Sequence, residues 1–342
     1  MSAHAFTHWP GADVGHPGPN QFRPSIATVV YSRDKDALQY EAITTAQRPR
    51  LENIENLREK TSHAIRRFLI NNNTEAAAGG GPAAVKNIPS NIVFLRDGLS
   101  EGQYEAFARQ EIQDIENGIA QAWETVKLPR AQDTPPKASA ETVKLPRAQD
   151  TPPKASAETL RSRSVPLPSL TYVVVSKRHH VRFFATDERQ TCTNGNLHAG
   201  FVTTGGIDSP YSYDFYMQSQ HAIQGTARPA HYIILQDKIL DDEALQTGHA
   251  ARLNHIARLS FYLCHAYSKA TSSVSIPAPV YYADIACRRG DIHLDRALRY
   301  GEDTSSEGSA GTLSNAVIEQ KIAIWCSNFK RVFDGHSPMY FI

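Results

Sequence analysis

Two aspartates stand where a buried strand would have little use for an isolated carboxylate: Asp13 in GADVGHP and Asp97 at the end of the apolar run in FLRDG. Taken alone, Asp97 has a plain structural explanation, because Asp before Gly is ordinary turn chemistry, and Asp13 alone is an equally weak signal. Their meaning changes if they converge with further acids. Hydrolysis of a phosphodiester by two divalent cations about 4 Å apart needs several hard oxygen ligands. Glu52, read as the head of a helix, and Asp284 in PVYYADIACRRGD are candidates for the same set, although spacing alone does not select them from 35 acids.

A positive cluster accompanies the acids. KRHHVRFF (177–184) mixes Lys177, Arg178, His179, His180 and Arg182 with aromatic residues, while Arg228, Arg288 and Arg289 lie further on. A phosphate-contacting surface is one reading and a solvated strand edge the other. The His179–His180 pair makes a poor metal site, since neighbouring residues on a strand point to opposite faces.

The elements that would position these residues follow from periodicity. SIATVVY (25–31) and QYEAITTA (39–46) read as a β-hairpin, 53–70 as an amphipathic helix and NIVFLRDG (91–98) as a central strand buried on both faces. A second helix follows Ser100 and Glu101 and runs through Ile112, Ile119 and Trp123. LTYVVVSKRHHVRFFAT (170–186) and AHYIILQD (230–237) read as strands, and 241–267 as a long helix. The order implies a mixed sheet with helices against its faces. Three low-complexity stretches interrupt it at 71–87, 124–159 and 301–311. The second contains a 17-residue unit, ETVKLPRAQDTPPKASA, repeated letter for letter at 124–140 and 141–157. Two Pro-rich copies without an apolar face do not make a solenoid, so a flexible insertion is expected.

Composition narrows the class. The 342 residues are 41% hydrophobic and carry 36 basic against 35 acidic side chains, so nucleic-acid binding would depend on local clustering of charge. Cys192, Cys264, Cys287 and Cys326 form neither a CxxC pair nor a disulfide framework, which fits a reducing compartment. The sequence shows no signal-peptide pattern and no membrane-length apolar run, and a cytoplasmic protein is expected.

Taken together, GADVGHP, RPSIATVVYS, VFLRDGLSEGQYE, TYVVVSKRHHVRFF, IQGTARPAHY, LCHAYSKATSSVSIPAPVYYAD and the terminal MYFI resemble the PIWI domain of eukaryotic Argonaute proteins, with a fungal character. The resemblance implies an α/β, RNase H-like mixed sheet flanked by helices. It implies small-RNA-guided cleavage of target RNA in RNA silencing by a Mg²⁺-dependent endoribonuclease, with Mn²⁺ as a substitute. By the same resemblance the catalytic set is Asp13, Glu52, Asp97 and Asp284, with Asp13, Asp97 and Asp284 as metal ligands. Guide contacts fall on Lys177, Arg178, Arg228, Tyr267, Lys269, Ser275, Tyr281 and Arg289, the last at the guide 5′ phosphate. Partners would be a guide RNA, its complementary target and silencing-complex proteins. Residues 1–342 are expected to form a PIWI domain alone, without N-terminal, PAZ or MID domains. Pro10 and His8 depart from the family's smooth first strand, since Pro removes a ladder donor. Two alternatives stand beside the nuclease: a truncated, non-cleaving module that binds guide and target RNA, and a protein-interaction platform.

Overall fold

The computed structural model describes residues 6–18, 24–73, 87–127, 167–192, 194–203, 205–207, 213–238, 249–293, 319–320, 322–324 and 339–342. Among these, nine strands form one sheet: β1 (Phe6–His8), β2 (Pro10–Gly15), β3 (Ser25–Ser32), β4 (Tyr40–Gln47), β5 (Pro89–Asp97), β6 (Ser169–Ser176), β7 (Phe201–Val202), β8 (Tyr213–Gln218) and β9 (Ala230–Asp237). The order is β4-β3-β2-β5-β6-β9-β8-β7, with β1 also on β5. β2, β3 and β4 form an antiparallel meander, β5 and β6 continue it in parallel with β2, and β9 and β8 extend it antiparallel. This is the RNase H-like mixed sheet expected from the sequence.

Both faces of the central strands are covered, and the strand period of two sorts their residues between two cores. Ile92, Phe94, Leu170, Tyr172 and Val174 face α1 (Leu57–Asn73) and α2 (Arg109–Lys127). Val93, Leu95, Val173 and Val175 face the opposite core, which contains residues of α3 (His249–His265) and α4 (Ala278–His293). Burial on two sides explains why these strands read as continuous apolar runs. Each fully buried large apolar side chain contributes roughly 1.5–3 kcal/mol. Phe341, near the end of the chain, is buried against Tyr282, with ring centroids 5.4 Å apart.

Several boundaries differ from the sequence reading. The first strand is split: β1 pairs with the start of β5 and β2 with its end, with Trp9 between them donating its N–H to Ser32 Oγ at 3.2 Å. Pro10 therefore opens a strand, where its missing donor costs least. Helix α1 begins at Leu57, so Glu52 lies in the preceding loop and not at a helix head. The helix also continues through Asn73, and α2 through Lys127, so the first residues of two stretches expected to be loops are helical. The remainder of 71–87 and 124–159 lies mostly outside the described residues, and 301–311 entirely so. β6 ends at Ser176, which leaves KRHHVRFF as irregular chain where a strand was expected. Ser100 is joined by Gln103, whose Oε1 accepts the Ser100 N–H at 2.9 Å, and a 3₁₀ turn and a π-helical turn precede α2. Of the long helix expected over 241–267, residues 241–248 lie outside the described set. No helix among the described residues is long and apolar enough to cross a membrane.

Candidate active site

The register of two parallel strands brings the first two acids together. β2 and β5 pair Gly11 with Leu95 and Ala12 with Arg96, so Asp13 and Asp97 are neighbours one position further on, where β5 ends. Alternation then decides which face each residue serves. Gly11, Asp13 and Gly15 share the face covered by α4. A β-carbon at Gly11 would lie 2.7 Å from Val280 N, and one at Gly15 would lie 3.3 Å from Cys287 Cβ. The glycines on either side of Asp13 thus let the α4 backbone lie directly on β2. That close approach brings Asp284, which α4 carries one turn before Cys287 and Arg288, to the same place.

Asp13, Glu52, Asp97 and Asp284 all line one cleft of about 510 Å³, together with His16, Arg178 and Arg288. Their surroundings differ. Asp13 Oδ1 accepts the Val14 N–H at 2.8 Å, and Asp97 Oδ1 accepts the Gly98 N–H at 2.7 Å. Burial pushes the Asp97 carboxyl up to about 6, and the nearby Asp13 charge adds to the rise. Asp13 is raised as well, by burial first and with Asp284 adding its charge, while Arg96 opposes the shift. Glu52 Oε1 meets His16 Nε2 at 2.9 Å, and the hydrogen bond to His16 holds this carboxyl below its usual range. Asp284 is held by Arg288 at 3.0 Å.

Beneath the cleft, on the other face, Arg96 is fully buried beside Glu111 at 3.2 Å. Its guanidinium donates to the Glu52 carbonyl at 2.7 Å and to the Asp97 carbonyl. Glu111 also accepts the Tyr172 hydroxyl at 2.7 Å and the Ile54 N–H at 3.3 Å. A paired, hydrogen-bonded charge is the form in which burial is tolerated. Here it fastens the Glu52 loop to the end of β5. Arg96, Glu111, His16 and Cys287 were not singled out from sequence. His16 lay inside a motif already noted, GADVGHP, but Arg96 and Glu111 become visible only when α2 is packed under β5.

Of the candidate guide-contact residues, Arg178 is the one among the residues that line the acid cleft. Lys177 is half-buried, and its ammonium is held below its usual range by burial and by the Arg228 charge nearby. Tyr267 is buried, its ring 4.8 Å from Tyr281 and 5.1 Å from Tyr282. Exposed Lys269 and half-buried Ser275 lie on the loop joining α3 to α4, and Arg289 is exposed on α4. His179 and His180 are not on a strand, yet they do part: His179 Nε2 lies 3.0 Å from the Pro229 carbonyl and its ring meets Tyr216 edge-on, while His180 is exposed.

Four carboxylates supply the hard oxygen donors that Mg²⁺ prefers, and burial, with the neighbouring acids, raises the proton affinity of Asp13 and Asp97. The donor set therefore fits a divalent cation in kind. Among the described residues, however, no three Asp, Glu, His or Cys side chains are gathered closely enough to hold an ion as they stand. The partners of Glu52 and Asp284 supply a physical reason, since each of these acids is engaged by a basic neighbour.

The Piwi domain family matches residues 9–127 and 154–294. The gap between the two segments falls within the two copies of the repeated unit. Rice (Oryza sativa subsp. japonica) protein argonaute 2 is 31% identical over 287 residues, covering 83% of this chain and 22% of the relative; rice argonaute 3 is 30% identical over 289 residues. The chain thus spans about a fifth of the length of these relatives. Among solved structures, the C-terminal lobe of a budding yeast Argonaute superposes with a TM-score of 0.59 at 24% identity, covering 91% of this chain and 51% of that one. Kluyveromyces polysporus Argonaute with a guide RNA gives 0.56 at 23% identity, covering 94% of this chain and 32% of that one. Those two likenesses speak for the fold, and the family match over most of the chain speaks for descent: the chain belongs to the Piwi domain family of the eukaryotic Argonaute proteins.

Proposed function

We propose that this chain carries the cutting site of a small-RNA-guided endoribonuclease that acts on target RNA in RNA silencing. The observation that carries this reading is the meeting of Asp13, Glu52, Asp97 and Asp284 in one cleft, from a strand, a loop, a second strand and a helix. In this reading Asp13, Asp97 and Asp284 hold Mg²⁺, or Mn²⁺ in its place, and Glu52 completes the set. The bound cations would supply an activated water and neutralise charge on the leaving oxygen. The remaining work belongs to the protein. His16 orients Glu52, the Arg96–Glu111 pair fixes the loop that presents it, and the N–H groups of Val14 and Gly98 each hold one oxygen of Asp13 and Asp97. Lys177, Arg178, Arg228, Tyr267, Lys269, Ser275, Tyr281 and Arg289 would contact the guide backbone, with Arg289 at its 5′ phosphate. Recognition would then rest on phosphates and A-form shape, leaving sequence to base pairing.

A second reading, a guide- and target-binding module that does not cut, draws on a specific observation: Glu52 and Asp284 are engaged by His16 and Arg288. One experiment separates the two. The 342-residue chain is incubated with a 5′-phosphorylated guide RNA and a labelled complementary target, with Mg²⁺ and with chelator. The nuclease reading expects cleavage that requires Mg²⁺ and falls about a thousandfold or more in Asp97→Asn, in line with the several kcal/mol such a site supplies. Binding without Mg²⁺-dependent cleavage establishes the module instead.

A further inference from the structure

Arg288 lines the mouth of the acid cleft one helical turn after Asp284, and its guanidinium meets that carboxylate as a fork. Nε lies 3.0 Å from Oδ1 and Nη2 lies 3.0 Å from Oδ2, so both carboxylate oxygens are engaged. Bidentate geometry of this kind is the most favourable that Arg offers a carboxylate. The pair is nevertheless exposed, Arg288 by 78% and Asp284 by 32%. Water therefore weakens the attraction, and the side chain can leave at small cost. The other acids are held differently: Asp13 and Asp97 by main-chain N–H groups and Glu52 by an imidazole. Among the described residues, Arg288 is the one Lys or Arg side chain ion-paired with a cleft acid.

We propose that Arg288 competes with the divalent cation for Asp284. Its guanidinium occupies the carboxylate while the cleft holds no cation and turns out into solvent when a cation enters, so Arg288 sets the cation concentration at which the cleft fills. The inference rests on the reading of the cleft as a cation site, and the experiment separates the failure of one from the failure of the other. Mn²⁺ binding to the full chain, without RNA, is measured by electron paramagnetic resonance for the parent, Arg288→Gln, Arg288→Lys and Asp97→Asn. Arg288→Gln is expected to bind Mn²⁺ about two- to fivefold more tightly than the parent, the range an exposed pair allows. Arg288→Lys, which keeps the charge but loses the fork, is expected to fall between them. Equal affinity in the parent and Arg288→Gln, with binding lost in Asp97→Asn, overturns the competitor role and leaves the cation site standing. No saturable binding, or binding that survives in Asp97→Asn, overturns the cation site and the competitor role together. Thermal melts of each variant confirm that an exposed substitution has left the fold intact.

Discussion

Single side chains in this molecule are set by what surrounds them more than by their type. His8 shows this away from the cleft. Its ring is buried against Phe68, with centroids 5.0 Å apart, and burial holds its pKa near about 3. Neither ring nitrogen has a side-chain hydrogen-bond partner, so protonation in the folded state is disfavoured. Once the chain unfolds, the ring can charge below its ordinary value of about 6.5. The stability tied to the neutral ring is complete above that value and is lost progressively as the pH falls from there toward about 3, by up to about 1.4 kcal/mol per pH unit. His8→Phe should remove this component, and melts between pH 7 and 5 should show a smaller drop than in the parent. Arg96 offers the opposite case, a charge kept buried by its partners. Arg96→Met would leave Glu111 buried and unpaired, and a loss of about 3–5 kcal/mol in denaturant unfolding is expected. Glu111→Gln with Arg96→Met together should recover part of it, because neither charge then remains unmatched.

At the scale of elements, the site depends on how closely α4 approaches β2. Both halves of that contact are encoded locally, in the alternation of Gly11, Asp13 and Gly15 and in the Pro279–Val280 backbone that lies on Gly11. Gly11→Ala would push a methyl group into main chain that cannot rotate away. A destabilisation of about 1–3 kcal/mol is expected, together with loss of the cleavage proposed above as Asp284 is displaced. Gly15→Ala meets the Cys287 side chain at 3.3 Å and should be milder, so comparing the two by thermal unfolding tests whether the close backbone approach is the constraint. Most of the central strands were legible in sequence, while β7 and β8 were not anticipated. β3, β4, β5 and β9 fall within two residues of their expected limits, because burial on one or both faces writes itself into hydrophobic order. β6 was read ten residues too long, since the aromatic and branched residues of Val181–Phe184 have strand character while forming irregular chain.

For the molecule as a whole, overall charge is close to balanced at +1. The RNA binding proposed above should therefore depend on particular cations. Removing Arg228 or Lys269 is expected to reduce the slope of log affinity against log salt by about 0.7 for each phosphate of a single-stranded guide that is no longer neutralised, with little change in sequence preference. A filter-binding salt series on Arg228→Ala and Lys269→Ala checks this. Either variant with an unchanged slope would place that residue off the RNA path.

The mixed character of the sheet and the strands of its centre were readable from the chain, because periodicity is a local property that survives in one dimension; β7, β8 and α4 were not anticipated, and the four candidate acids were named as a set only through the family resemblance. The association of Asp13 with Asp97 was only a conjecture until parallel register set them side by side. Tertiary structure alone decided that Glu52 would be held by His16 and that Arg96 and Glu111 would pin its loop from beneath. These pairings join side chains 36 and 15 residues apart in sequence, and no spacing rule distinguishes them from the chain's other charged residues, whereas Arg288 meets Asp284 by the ordinary i,i+4 spacing of one helix. Packing selects the partners, since only the folded chain fixes which charges share a region from which water is partly excluded.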